Sequence, residues 1–395
     1  MMLLLLLTGV TASAQPDEAA LDSLRQRDDF VTASLLVATP GAHLYSALGH
    51  CALRMECPAF GLDYCFSFEM NSGNDATDYL NFFKGQSPSG IIAMETPAYL
   101  QRFKDEGRGV TQYTLNLTPV QKQEMWRRLD NNMMEGISTH FDFLFHNCSS
   151  ICLAAVRSQL LDEHLEVKEW PEVMRQNRAS ILLSYTDHAP WMQFVLMTIW
   201  GTEADKEVEK EMCVAPKTIG ETLAHSVIVS ADGTERPALT GEVRQLLPQT
   251  LQLQPTWLTP LVLAATLLVL LLLLTAGEWL WGWRRLARAT DVVLLVVQAL
   301  LGVLLLYLVM VSNLFGQHWN WCLLIFSPLP LLAWLCCRRR GWYSRLALLY
   351  GGILLLFAVA SPLITAQLIA AHRLTAAAIA VRCFSCAWAE NRKTK

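Results

Sequence analysis

No Walker loop, no dinucleotide fingerprint and no doubled CxxC pair occurs in the 395 residues. Phosphate-cradling glycine loops and thiolate-held zinc are therefore excluded as sources of chemistry, and neither a cofactor nor a metal is expected. Positive charge is also short: 31 Lys and Arg face 35 Asp and Glu, a net charge of −4, with no basic stripe before the apolar C-terminal part. That excludes a nucleic-acid partner. The opening MMLLLLLTGVTASAQ holds no Lys or Arg, so the basic n-region of a secretory signal is missing, yet the short apolar core and the small-x-small triplet Ala12-Ser13-Ala14 are present. Residues 1–14 read as a signal peptide, which puts the following part outside the cytoplasm.

What is abundant is apolar sequence, unevenly spread. Hydrophobic residues make up 53% of the chain, but long apolar runs begin only near Leu258. Four of them cover 258–280, 292–311, 322–337 and 346–371. A bilayer core takes about 20 helical residues, so three are long enough, and the third, interrupted by Pro328 and Pro330, reads as broken or tilted. Arg284, Arg285 and Arg288 follow the first run and Arg338, Arg339, Arg340 and Arg345 the third, whereas NLFGQHWNW after the second has no basic residue. Cytoplasmic loops collect Lys and Arg, so the N-terminal head and NLFGQHWNW share the non-cytoplasmic side. A shorter run at 374–389 contains Arg382 and reads either as a fifth span or as an interfacial helix. The membrane domain is expected over 257–395, with four or five helices.

The head, 15–200, mixes strand and helix patterns in an α+β class. SLLVATP, LYSALGHCALRM and YCFSFEM read as strands, the last two as an antiparallel hairpin around ECPAFGLD, with further strands at 91–94 and 109–117. Helical spacing covers 17–30, 75–84 and 97–106, and Thr118 caps a helix over 119–133. Residues 201–256 read as a polar linker with a short hairpin at Ala231-Asp232-Gly233.

Six cysteines lie before the first apolar run, Cys51, Cys57, Cys65, Cys148, Cys152 and Cys213, and an oxidising compartment favours pairing. Cys57 and Cys65 flank the hairpin turn and are close enough in sequence to bridge. Cys152 aligns with Val156 and Leu160 as a core residue. Cys148 differs: Asn147 is a favoured N-cap, and SICLAAVRSQLL has helical spacing, so Cys148 sits in a first turn. There the helix dipole and orphan amides favour a thiolate and could hold an oxyanion. The competing reading is a packed cysteine at a helix start. A nucleophile needs a base, and among nine histidines His50, mid-strand after Gly49, is the best placed. Alternation turns Cys51 to the opposite face, so Cys51→Ser is expected to be tolerated and His50→Ala not. If YCFSFEM pairs antiparallel with the His50 strand, Glu69 falls opposite His50 as its orienter, with Ser67 on the same face.

The order of histidine strand, second strand and Asn-Cys at a helix start resembles the circularly permuted papain-like (NlpC-type) thiol enzymes, a class that includes lecithin:retinol acyltransferase-like proteins. Within it, LGHCALRM, RGVTQYTLNLTPVQKQ, FDFLFHNCSS and HWNWCLLIFSPLPLL resemble the lipoprotein N-acyltransferase family Lnb. The resemblance implies a papain-like head with Cys148 as nucleophile and His50 as base, followed by a helical transmembrane domain in the inner membrane. It implies a phospholipid acyl donor, a Cys148 thioester, and transfer to the α-amine of a diacylglyceryl-cysteine apolipoprotein. Phe141, Phe143 and Phe145 are candidates to line an acyl groove. Asn147, Arg108, His318 and Asn320 are candidate substrate contacts, Arg108 as a phosphate partner and the other pair in the loop facing the head. Two rivals use the same features: a membrane-tethered cysteine peptidase or amidase acting on cell-wall peptides, and a noncatalytic lipid-binding protein with a structural Cys148.

Overall fold

Two-residue alternation organises the head in the computed structural model, which describes residues 18–43, 46–70, 77, 80–81, 84–142, 146–172, 176–208, 215–252, 256–313, 319–337 and 342–391. Strands β1 (Thr32–Ala38), β2 (His50–Cys57), β3 (Leu62–Met70), β4 (Pro88–Glu95), β5 (Val110–Thr114), β6 (Ser138–His140) and β10 (Arg244–Leu247) form one antiparallel sheet in the order β10-β5-β1-β2-β3-β4-β6. In β1 and β2 the odd-numbered residues Leu35, Val37, Cys51, Leu53 and Met55 pack beneath the helix Cys148–Arg157. The even-numbered Leu36, Ala38 and Ala52 pack beneath the helix Thr96–Asp105, against Tyr99 and Phe103. The core is thus two apolar layers separated by the sheet. Each fully buried leucine there contributes roughly 1.5–3 kcal/mol.

The same alternation separates Cys57 from Cys65. Cys57 faces the layer of the Cys148 helix, and Cys65 lies in the opposite layer beside Thr96. Both thiols are free, and the expected bridge is not formed because the sheet itself stands between them. Thr118 caps the helix Pro119–Met134 in a reciprocal box with Gln121. The strand expected from residue 44 begins only at His50, after the turn that ends at Gly49; Leu44 lies outside the described residues.

Residues 201–256 are not a linker. The helix Pro216–Ala224 sends Ile219 and Leu223 into the main core, and β10 extends the sheet beside β5. The expected hairpin exists as β8 (Ser226–Val229) and β9 (Glu235–Pro237), turning at Gly233, and β8 also pairs with β7 (His164–Val167). Arg236 of β9 forks Glu163, which also accepts from Gln121 and Ser230. The polar composition that reads as linker serves this network instead.

Among the described residues the membrane domain holds three helices long and apolar enough to cross a bilayer, Pro260–Leu280, Arg284–Met310 and Trp342–Leu363. The third apolar run is broken, as its prolines predict, into Cys322–Ile325 and Leu329–Cys337. The last helix, Ala370–Asn391, packs lengthwise against both Trp342–Ala360 and Pro260–Leu280. A Cβ on Gly351 would lie 2.9 Å from Cys383 Cβ, so this packing brings backbones close. Its Arg382 is buried against Asp291 and Glu278 at 2.7 and 3.0 Å. That pairing lets a charged residue sit inside the bundle.

Head and bundle are joined by buried polar groups. Asn320 donates to the Thr198 carbonyl and accepts from Gln367, which also donates to the Met197 carbonyl. His372 Nε2 bonds Thr198 Oγ1 at 2.8 Å, with its ring stacked on Phe194. Asp205 accepts from Thr365 and from the Ala366 amide. Gly201 approaches the Trp319 carbonyl so closely that a Cβ would lie 2.7 Å from it.

Candidate active site

Cys148 opens its helix because of the residue before it. Asn147 is extended (φ −125°, ψ 177°), and its side-chain oxygen accepts from the amides of Ser149 and Ser150 at 2.9 and 3.0 Å. In return the Ser150 hydroxyl accepts from the Asn147 amide at 2.9 Å. Such a box is worth about 1 kcal/mol and fixes the first turn. Cys148 itself is half-buried at the end of the sheet, whereas Ser149 and Cys152 are fully inside.

His50 reaches the same point from the other layer. It is the first residue of β2, directly after Gly49, whose φ of 92° and close approach to the Ala38 carbonyl (a Cβ would lie 2.6 Å away) admit only glycine. The ring stacks on Phe103 with centroids 6.3 Å apart. The Cys148 sulfur is close enough to act on the charge of this ring.

A relay fixes which ring nitrogen carries the proton. His50 Nε2 is 2.7 Å from Ser67 Oγ, the Ser67 hydroxyl donates to Glu69 Oε1 at 2.9 Å, and Arg102 forks Glu69 at 2.9 and 3.3 Å. The hydroxyl has one proton and gives it to the carboxylate, so its oxygen accepts from Nε2–H. Nδ1 is then the unprotonated nitrogen. Glu69 stands across from His50 when the Ala52↔Ser67 register is extended by two residues, but it touches the ring only through Ser67.

Burial disfavours charge on His50, while the Cys148 sulfur and then Glu69 act the other way, and the net direction is upward from 6.5. For Cys148 the hydrogen bond with Cys51, followed by burial, pushes the thiol above its ordinary 9.0 against a downward pull from His50. The expectation of a thiolate favoured by the helix start is therefore overturned. Asn147 already occupies the amides of Ser149 and Ser150, and a second sulfur sits against the first. The resting thiol keeps its proton, and a base must remove it.

Two family models match the sequence, the Lnb N-terminal periplasmic domain over residues 26–178 and the Lnb transmembrane domain over residues 252–394. The chain belongs to the Lnb family. No curated protein and no solved structure matches it.

The remaining residues singled out in this Lnb chain fall elsewhere. Asn147 is buried and spends its side chain on the helix cap, so it is not a substrate contact. Arg108 is 3% exposed; its Nε donates to the Thr39 carbonyl, Nη1 to Glu106, and its cation lies 4.7 Å from the Phe103 centroid. Placed there it buttresses the ring on which His50 stacks and is closed to a phosphate. Asn320 is fully buried in the joint between head and bundle, so it is equally closed to headgroups. His318, Phe143 and Phe145 lie outside the described residues.

Cys51 needs a further correction. It does face away from His50, but the layer it enters is the one where Cys148 begins. It shares the core cluster with Cys152, against which Cys148 packs, and its thiol lies 3.7 Å from Ser149 Oγ. It is therefore a neighbour of the candidate nucleophile, and the expected tolerance of Cys51→Ser loses its basis. Sequence reading also gave no role to Ser67, Arg102 and Phe103. The two-residue step from Ser67 to Glu69 was its only signal for the relay, because Arg102 and Phe103 arrive from a different element.

Proposed function

We propose that the chain is a lipoprotein N-acyltransferase of the inner membrane that works through a Cys148 thioester. The observation that carries this reading is a cysteine at a capped helix start and a histidine whose Nε2 is held by the Ser67–Glu69 relay, each acting on the other's charge, on a head fixed to a membrane bundle. Membership of the Lnb family supports the reaction class. His50 Nδ1 takes the Cys148 proton as the sulfur attacks an acyl ester of a phospholipid. The amide of Cys148, which the Asn147 cap leaves unused, is aimed at the developing oxyanion. The protonated imidazole then gives its proton to the departing lysophospholipid. In the second half His50 accepts a proton from the α-amine of a diacylglyceryl-cysteine lipoprotein as that nitrogen takes the acyl chain; the thioester C–S bond breaks, and the Cys148 sulfur regains its proton from His50. Ser67, Glu69 and Arg102 hold the ring and offset its transient positive charge.

The architecture supports membrane substrates. Both donor and acceptor are anchored in a leaflet, and a head locked to its bundle meets them by lateral diffusion at fixed height. We further read the head as a permuted papain-like domain, on the order of His50 strand, second strand and Cys148 helix. The bundle is read as multi-pass, with the head in the periplasm. The test is incubation of the purified full chain with phospholipid, followed by intact-mass analysis. An acyl increment on Cys148, transferred to a diacyl lipopeptide, is the expected result. Absence of the increment, with cleavage of a cell-wall peptide instead, would replace this reading with that of a tethered peptidase.

A further inference from the structure

We propose that a groove inside the membrane domain holds one acyl chain of a phospholipid, the donor awaiting the head; this rests on the thioester reading above. The groove exists because the broken third segment does not close onto the bundle. Its break is pinned at Gly302, where a Cβ would lie 2.7 Å from the Phe326 carbonyl and 2.8 Å from Pro328. Below the break the helix Leu329–Cys337, sequence LPLLAWLCC, has no buried residue. This apolar helix touches Arg284–Met310 and Trp342–Ala360 without burying a residue against them, and between them lies a cavity of about 520 Å³, bounded also by Leu294, Leu323, Tyr350 and Ile353. That size falls within the range of about 300–1,000 Å³ typical of ligand sites.

The lining explains what fits. Gln298 donates to the Ile325 carbonyl at 2.6 Å, and Tyr350 to the Leu324 carbonyl at 2.7 Å. These bonds satisfy the backbone groups freed by the break, so the polar side chains are spent and the interior stays apolar. At the lower end Arg382 and Asp291 neutralise each other. At the upper end stands Trp319, whose carbonyl accepts from the Thr202 amide of the head at 2.8 Å. An apolar cavity in water remains dry, but in a bilayer the surrounding solvent is hydrocarbon chain. A lipoprotein would bring its polypeptide to the rim where Gly201 and Thr202 of the head already sit, so phospholipid is the occupant.

The full chain carrying Cys148→Ser is reconstituted in phosphatidylethanolamine–phosphatidylglycerol vesicles with a phospholipid bearing a diazirine on one acyl chain, and crosslinks are mapped after illumination. Labelling is expected to concentrate on peptides holding Leu294, Ala333 and Ile353. It should fall at least fivefold with Ala333→Trp or, independently, with Leu294→Trp, each of which fills the groove. The proposal is overturned if Leu263, Leu270 and Leu273 on the outward face of Pro260–Leu280 label as densely, or if neither tryptophan changes the pattern. With Cys148 restored, the same tryptophans should slow acyl-enzyme formation by a similar factor; an unchanged rate would overturn the donor assignment. Because the serine variant forms no thioester, the crosslinking result is independent of whether Cys148 is acylated.

Discussion

Head and bundle each contain an arginine in a carboxylate ion pair, and the two arrangements serve different ends. In the head, Arg102 is 44% exposed and Glu69 26%, and the pair opens through Ser67 onto His50. In the bundle, Arg382 is 4% exposed, and Asp291, Glu278 and Thr275 close around it. An exposed pair contributes about 0–1 kcal/mol to stability, so the head's cluster is free to act on a neighbour. A buried pair is costly to break, so the bundle's cluster specifies how three helices meet. The same ionic chemistry is a relay where one end is open and a lock where none is.

The largest effect is expected from opening the lock. Arg382→Gln leaves Asp291 and Glu278 facing one another in a dry interior, which should destabilise the bundle by about 3–5 kcal/mol. Thermal unfolding of the purified protein in detergent reads this directly, and an unshifted midpoint would break the comparison. Ser67→Ala is the corresponding cut in the head. It removes the acceptor that keeps the His50 proton on Nε2, and acyl-enzyme formation should slow about a hundredfold while the unfolding midpoint stays put. Equal losses of stability from both variants would mean that the relay is merely a second lock.

A smaller effect, with a definite sign, follows from charge. Arg102, together with His50 and Ser67, outweighs burial and holds Glu69 below its ordinary 4.5. Stability from that carboxylate is present above 4.5 and is lost as pH falls through the lowered value. His50 is raised above 6.5, in part by Glu69, so as a base it works only above that raised value. Glu69→Gln removes one of the raising charges, and the acidic limb of kcat/KM should move to lower pH. A limb that stays fixed or moves upward would remove Glu69 from the relay.

Most of the head's elements were legible because their causes are local. The apolar run in SLLVATP, the Thr118 and Asn147 caps and the prolines of the third apolar run each act within a few residues, and each marks its element to within two residues. The antiparallel register follows from one short turn, which is why Glu69 could be set across from His50. Illegible were contacts made between elements far apart in the chain. Arg108 and Asn320 have the right chemistry for substrate, but burial under Phe103 and in the joint at Thr198 assigns them to structure. Residues 201–256 look like a linker because their apolar residues are interrupted by polar ones; only the fold shows that Ile219, Leu223, Ile228 and Ala238 complete the core.

The smallest expected effect tests the overlooked neighbour. Cys51 raises the proton affinity of Cys148 through the bond between their thiols, the largest single influence on it. Cys51→Ala removes that bond without adding a charge, at a cavity cost of about 1 kcal/mol, since only one buried heavy atom is lost. The Cys148 thiol should then move down toward 9.0, and His50 Nδ1 should draw its proton more easily. Alkylation of Cys148 by iodoacetamide at neutral pH, followed by peptide mass, is expected to be several-fold faster than in the parent. Ser67→Ala should slow the same reaction, so the two variants bracket the parent from opposite sides of the sheet. If Cys51→Ala leaves the alkylation rate unchanged, burial alone keeps the sulfur protonated and Cys51 is only packing.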